Sequence, residues 1–124
     1  MKKIAIIGAG ISGLFIANLF KKNSNYQITV YEKRLSINLD EGYGIQLSVN
    51  SVKLLNQIGF DKFKNDQKFN PDKINFYSIE SSNKICDLNI SDYNSADCKY
   101  TTLKRSELVK FLKKDLENVI KINH

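Results

Sequence analysis

The first 32 residues constrain the fold more than anything after them. Ile4, Ala5, Ile6 and Ile7 form a short apolar run ending at glycine, the pattern of a strand buried on both faces of a parallel sheet. A G-x-G-x-x-G turn follows as Gly8, Gly10 and Gly13. Each glycine has its own task. Gly8 permits the tight turn, Gly10 lets main chain come close to a pyrophosphate, and Gly13 lets a helix pack tightly on the strand. Ile11, Leu14, Phe15 and Leu19 then share a helical face with small Ala17 beside them, so a helix begins where the glycines stop. Its free N–H groups would face phosphate oxygens. Ile28 and Val30 alternate in a second strand, and Glu32 closes it about 20 residues past the last glycine, where a carboxylate can accept both ribose hydroxyls. Strand, turn, helix, strand and acid together predict a Rossmann-like βαβ unit in an α/β fold, holding the ADP half of a dinucleotide.

Two other structures compete for the same stretch. Lys2 and Lys3 before a long apolar segment ending at Phe20 resemble a secretory leader, but no small-x-small cleavage site follows and Lys21 and Lys22 come directly after it. A transmembrane helix is disfavoured by the three glycines, Ser12 and Asn18 inside a run barely long enough to span. No integral membrane segment is expected, and cytoplasmic residence is the default. The net charge of +6 comes from lysines interleaved with acids, so it reads as a solvated surface and not as a nucleic-acid site. Cys86 and Cys98 lack metal-ligand spacing, and His124 is the sole histidine, so reduced thiols and no metal are expected.

Further along, Gly42, Gly44, Ile45, Gln46 and Leu47 make a glycine-flexed approach to a short strand. The next helix should begin near Ser48 or Asn50, carry Val52, Leu54 and Leu55 inward, and stop at Gly59 in a left-handed cap. A polar stretch from Asp61 to Asp72 looks like a connection between subdomains. Ile74, Phe76, Tyr77 and Ile79, the Ser81-Ser82-Asn83 turn, and Ile85, Leu88 and Ile90 read as a hairpin. A last helix should start at Thr101 or Thr102, capped by a hydroxyl, with Arg105, Leu108, Val109, Leu112, Leu116 and Val119 on one face. An arginine on that stripe either lies at its edge and snorkels to water or, if buried, needs an anion. Val119 to Ile122 reads as the entry to another strand.

IAIIGAGISGL with VYEKR, then GYGIQLSVNSVKLLNQIG, then TTLKRSELVKFL resemble, in that order, the amino-terminal third of the FAD-dependent aromatic-hydroxylase type of monooxygenase, with the flavin-dependent tetracycline monooxygenases nearest in flavour. The resemblance implies FAD as cofactor, NADH or NADPH as reductant, and molecular oxygen and a small, often aromatic molecule as substrates. It implies that Gly8, Gly10, Ser12 and Gly13 hold the pyrophosphate, with Glu32 on the adenosine ribose and Lys33 at the adenosine end. Gln46 stands where relatives present a polar side chain to the flavin, commonly an aspartate in the tetracycline branch. Arg105 matches an arginine that contacts the phosphate and ribityl region, which would give the guanidinium its anion. No catalytic acid, base or nucleophile is visible.

The same resemblance divides the chain into 1–70, the start of an FAD-binding domain; 71–100, the first strands of a substrate-domain sheet; and 101–124, a helix and strand entry returning to the first domain. The family's Asp-Gly and later Gly-Asp motifs would lie beyond residue 124, so an incomplete fold, inactive by itself, is expected. Two other readings stay open. One is another flavoprotein or an NAD-linked dehydrogenase that shares the βαβ start. The other is a non-enzymatic remnant that pairs with another chain through a sheet edge.

Overall fold

The computed structural model describes residues 1–37, 42–64, 66 and 68–124. The chain divides into two compact units, one formed by Met1–Gly44 with Lys104–His124 and the other by Ile45–Leu103.

In the first unit, β1 (Lys2–Ile7) leads through the glycine turn into α1 (Ile11–Lys21), and β2 (Tyr26–Glu32) returns beside β1 in parallel register. Ile4 lies opposite Ile28, and Ile6 opposite Val30. The predicted βαβ unit is therefore present. The unit also contains α3 (Arg105–Lys113) and β7 (Ile120–Ile122), and β7 extends the sheet in parallel on the far side of β2, giving the order β1-β2-β7. The strand entry read at Val119–Ile122 is β7.

The core of this unit joins the face of β2 that carries Ile28 and Val30 to Leu14 and Ala17 of α1 and to Leu108, Val109, Leu112 and Leu116. Small Ala17 lets α1 and α3 approach, and Asn18 Nδ2 ties them, donating to the Leu14 and Leu112 carbonyls at 2.9 and 2.7 Å. Ile11, Phe15 and Leu19 are only half-buried.

Two expectations fail here. β1 is not buried on both faces: Ile4 and Ile6 are half-buried, while Ala5 is exposed and Ile7 is 83% exposed. The isoleucines on the helix side have α1 to pack on, and the face carrying Ala5 and Ile7 stays open among the described residues. The last helix does not begin at Thr101 or Thr102 either. Thr101–Lys104 is strand β6, and the helix starts at Arg105 with Lys104 in the cap position and no side-chain cap bond. β-Branched threonines suit a strand, and here Thr102 exchanges two main-chain hydrogen bonds with Phe69, at 2.8 and 2.7 Å, so the ladder wins over the cap.

In the second unit, β3 (Gly44–Leu47) pairs with β6, and the chain passes between units at the start of β3 and the end of β6. Helix α2 (Val49–Asn56) starts as predicted, with Ser48 Oγ accepting the Ser51 N–H. It ends earlier than predicted. Gly59, at φ 91°, is the left-handed residue, but it leads into a short 3-10 turn at Phe60–Lys62. Val52 and Leu55 are buried as expected, whereas Leu54 is 50% exposed, because on an eight-residue helix it faces away from the side that Val52 and Leu55 turn inward.

Leu47, Val52, Leu55, Phe60, Ile90, Cys98 and Leu103 form this unit's core. Lys68 crosses the Phe60 ring, with its ammonium 4.3 Å from the ring centre and bonded to the Phe63 carbonyl at 2.9 Å. Strands β4 (Lys73–Tyr77) and β5 (Lys84–Asn89) form the predicted antiparallel hairpin. Leu55→Ala should cost about 2–5 kcal/mol in chemical denaturation, and Leu54→Ala within about 0.5 kcal/mol of zero. Equal losses would put both leucines in the core.

Candidate functional site

The candidate site lies at the carboxyl ends of β1 and β2, where the glycine turn meets the start of α1. Gly8 has φ 97°, a left-handed backbone that a side chain would strain, and its N–H donates to the Tyr31 carbonyl at 2.7 Å. Gly13 is held by packing: a methyl group there would sit 2.0 Å from the Gly8 carbonyl oxygen. Gly10 differs from both. Its backbone is extended, with φ −76° and ψ −179°, and a methyl group would meet nothing within 4 Å. Neither strain nor packing calls for glycine at position 10, so what it leaves is an unobstructed approach to bare main chain.

That main chain is the amino end of α1. The helix has no side-chain cap bond and no acid in its first turn, unlike α2 with its Ser48 cap. The first intrahelical bond runs from the Leu14 N–H to the Gly10 carbonyl at 2.9 Å. The N–H groups ahead of Leu14 are those a helix cannot satisfy itself, and together with the helix dipole they suit an anion. Ser12 is exposed on this first turn.

Glu32 stands beside the turn. Its Oε2 accepts the Ala9 N–H at 2.8 Å and its Oε1 accepts the Arg34 N–H at 3.0 Å. The Ala9 bond first, then the Arg34 bond, hold the carboxyl below its ordinary range, with smaller help from the Arg34 and Lys33 charges. Each oxygen keeps acceptor capacity after these bonds, as two vicinal hydroxyls require. Lys33 is exposed immediately after β2, and the chain following β7 runs back to this point, with the His124 N–H on the Glu32 carbonyl at 3.1 Å.

Gly8, Gly10, Ser12, Gly13, Glu32, Lys33 and Arg105 all fall in the first unit. Arg105 is half-buried at the head of α3, and its N–H donates to the Tyr43 carbonyl at 3.0 Å. Gln46 belongs to the second unit, exposed on β3, where the Tyr100 hydroxyl donates to its Oε1 at 2.9 Å. The roles of Ala9 and Tyr100 were missed in the sequence. Ala9 acts through a main-chain N–H that no side-chain pattern reveals, and Tyr100 meets Gln46 only after β3 and β6 pair. Among the described residues, no three metal-ligating side chains gather and no helix is long and apolar enough to cross a membrane.

Residues 6–38 match the family model of an NAD(P)-binding Rossmann-like domain. The 3-amino-4-hydroxybenzoate 2-monooxygenase PtnB3 of Streptomyces platensis is 40% identical over 57 residues, which is 46% of this chain and 14% of that enzyme. Among solved structures, the tetrameric form of 2-methyl-3-hydroxypyridine-5-carboxylic acid oxygenase matches with a TM-score of 0.78 at 18% identity, over 99% of this chain and 32% of that one. CtdE, solved in complex with FAD and a substrate, matches with a TM-score of 0.76 at 17% identity, over 99% of this chain and 30% of that one. The chain thus spans about a third of the length of these solved chains. Residues 6–38 are thus similar to NAD(P)-binding Rossmann-like domains, and the chain shares the fold of the matching part of these solved structures, among them a 2,6-dihydroxypyridine-3-hydroxylase from Arthrobacter nicotinovorans.

Two measurements test the turn itself. Gly13→Ala should destabilise the chain by about 1–3 kcal/mol or more, because the clash is with main chain and not with a side chain that can move; a melt like the parent's would show that the helix does not rest on Gly8. Glu32 has a folded-state pKa below its ordinary value of 4.5, so the stability it contributes is present above that value and fades as pH falls through the depressed folded value. Melts between about pH 7 and pH 3 should show Glu32→Gln less stable than the parent at neutral pH, with the gap closing in acid. A gap that did not change with pH would remove the carboxylate from the turn.

Proposed function

We propose that this chain forms the nucleotide-binding part of an FAD-dependent monooxygenase that hydroxylates a small, often aromatic molecule with NADH or NADPH and molecular oxygen. One observation carries this reading: an uncapped helix amino end behind an unobstructed Gly10, next to a carboxylate already fixed by two main-chain N–H groups. Such a turn presents donors to a pyrophosphate and acceptors to a ribose in one place.

In this reading Gly8, Gly10, Ser12 and Gly13 cradle the pyrophosphate, and Glu32 accepts from the ribose hydroxyls. Lys33 lines the adenosine end, Arg105 meets the phosphate and ribityl region, and Gln46 hydrogen-bonds the flavin. FAD, when bound, supplies the electron transfer and oxygen activation that no side chain provides. The protein's contribution is to bind and orient it. Residues 1–70 and 101–124 would serve the FAD-binding domain and 71–100 would open the substrate domain. The free Cys86 and Cys98 go with a reducing, cytoplasmic location. A second reading, an NAD-linked dehydrogenase, draws on the nicotinamide dinucleotides named in the matched family's description.

The purified full chain decides between them. Yellow protein that releases FAD on heating supports the monooxygenase reading, whereas colourless protein that binds NAD supports the second. Arg105→Ala should loosen the flavin, by the roughly 1.5–3 kcal/mol of a charge-assisted hydrogen bond, and leave the melting temperature near the parent's. Gly10→Val should lose more, because its side chain fills the phosphate approach. Flavin content unchanged in both variants would take the turn and Arg105 out of the site.

A further inference from the structure

Two successive N–H groups just past β7 donate to one short stretch of chain. The Asn123 N–H meets the Arg34 carbonyl at 3.0 Å, and the His124 N–H meets the Glu32 carbonyl at 3.1 Å. In an extended strand successive N–H groups point to opposite edges, so a ladder continued past Ile122 would offer β2 only every other one. The change of direction comes at Asn123, whose φ is 59°, a left-handed backbone that asparagine tolerates and a β-branched residue does not. The His124 ring then lies edge-on to Tyr31, with 5.8 Å between ring centres. β7 itself is in register with Val30, Tyr31 and Glu32, so the tail is anchored in the same sheet as the segment it crosses.

That segment carries the Glu32 carboxylate. Glu32 is the last residue of β2, and after it Lys33 and Arg34 are exposed and belong to no strand or helix. One carboxylate oxygen accepts from Ala9 in the glycine turn, and the other accepts the Arg34 N–H, which stays in reach only while the chain folds back at Arg34. The Arg34 carbonyl accepts the Asn123 N–H, and that bond closes the fold. On the other side, the Tyr31 carbonyl accepts the Gly8 N–H. Glu32 is thus fastened from the glycine turn at one flank and from the β7 tail at the other.

We infer that Asn123 is a positioning residue: its left-handed turn ties the tail of β7 across Glu32 and Arg34, and so holds the Glu32 acceptors where two ribose hydroxyls reach them. The inference rests on the assignment of Glu32 to the ribose under Proposed function. Asn123 acts through Arg34 and Glu32, and its side chain matters by permitting that backbone.

Two substitutions in the full chain test this. Asn123→Gly keeps the left-handed turn, whereas Asn123→Val disfavours it. In the ligand-free chain, NMR titration of the Glu32 carboxyl and hydrogen exchange of the Arg34 amide should match the parent's in Asn123→Gly. In Asn123→Val the Glu32 pKa should rise toward its ordinary value of 4.5, and the Arg34 amide should exchange faster. With ADP as the probe, Asn123→Val should bind about threefold to tenfold more weakly, and Asn123→Gly within about twofold of the parent. In a Glu32→Ala background the loss from Asn123→Val should disappear, which a general weakening of the fold would not produce.

A Glu32 titration and an Arg34 exchange rate unmoved in Asn123→Val would overturn the inference. An equal loss of ADP in the Glu32→Ala background would do the same, as would ADP affinity that survives Asn123→Val unchanged. A parent chain that binds no ADP takes the nucleotide reading down as well. That result is told apart from a failure of the tail alone, in which the parent binds ADP and Asn123→Val binds it equally.

Discussion

The contact between Gly13 and the Gly8 carbonyl is the constraint on which the first unit depends. With 2.0 Å between that oxygen and any methyl group built at position 13, the end of β1 and the first turn of α1 touch main chain to main chain. This closeness aims the helix's unsatisfied N–H groups at the carboxyl ends of the strands. It also lets Leu14 and Ala17 drop onto β2 and onto the apolar side of α3. The uncapped helix start and the core packing therefore share one origin.

The sheet built on this contact is one-sided among the described residues. Parallel sheets are normally covered on both faces. Here Val30 is fully buried on the helix side while Ile7, at the end of β1, lies in the open. The solved chains it matches are about three times as long as this one.

Much of this was legible in the sequence, for physical reasons that can be named. Gly8 and Gly13 could be told apart in advance, because positive φ and backbone packing make different demands on the missing Cβ, and the structure meets both; at Gly10 it leaves open space. The βαβ order, the Ser48 cap, the hairpin and β7 followed from local patterns. The errors came where local pattern was overruled by a partner distant in sequence. Thr101 and Thr102 look like caps until Phe69 and β3 recruit them into a strand, whereas Leu54 is an error of local spacing, because it faces away from the side that Val52 and Leu55 turn inward. Arg105 was visible as an anomaly on its stripe, whereas the bond from Tyr100 to Gln46 spans 54 positions and no spacing rule foretells it.

If the turn holds a nucleotide as proposed, the anchoring of Glu32 bears on which ones it accepts. A side chain fastened at both oxygens to the Ala9 and Arg34 amides cannot swing aside to make room for a second phosphate on the sugar. Its charge, kept negative by those same amides, repels one. Under the proposed function, discrimination against 2′-phosphorylated adenosine would follow from the turn's own architecture, and relaxing it would mean unfastening the loop.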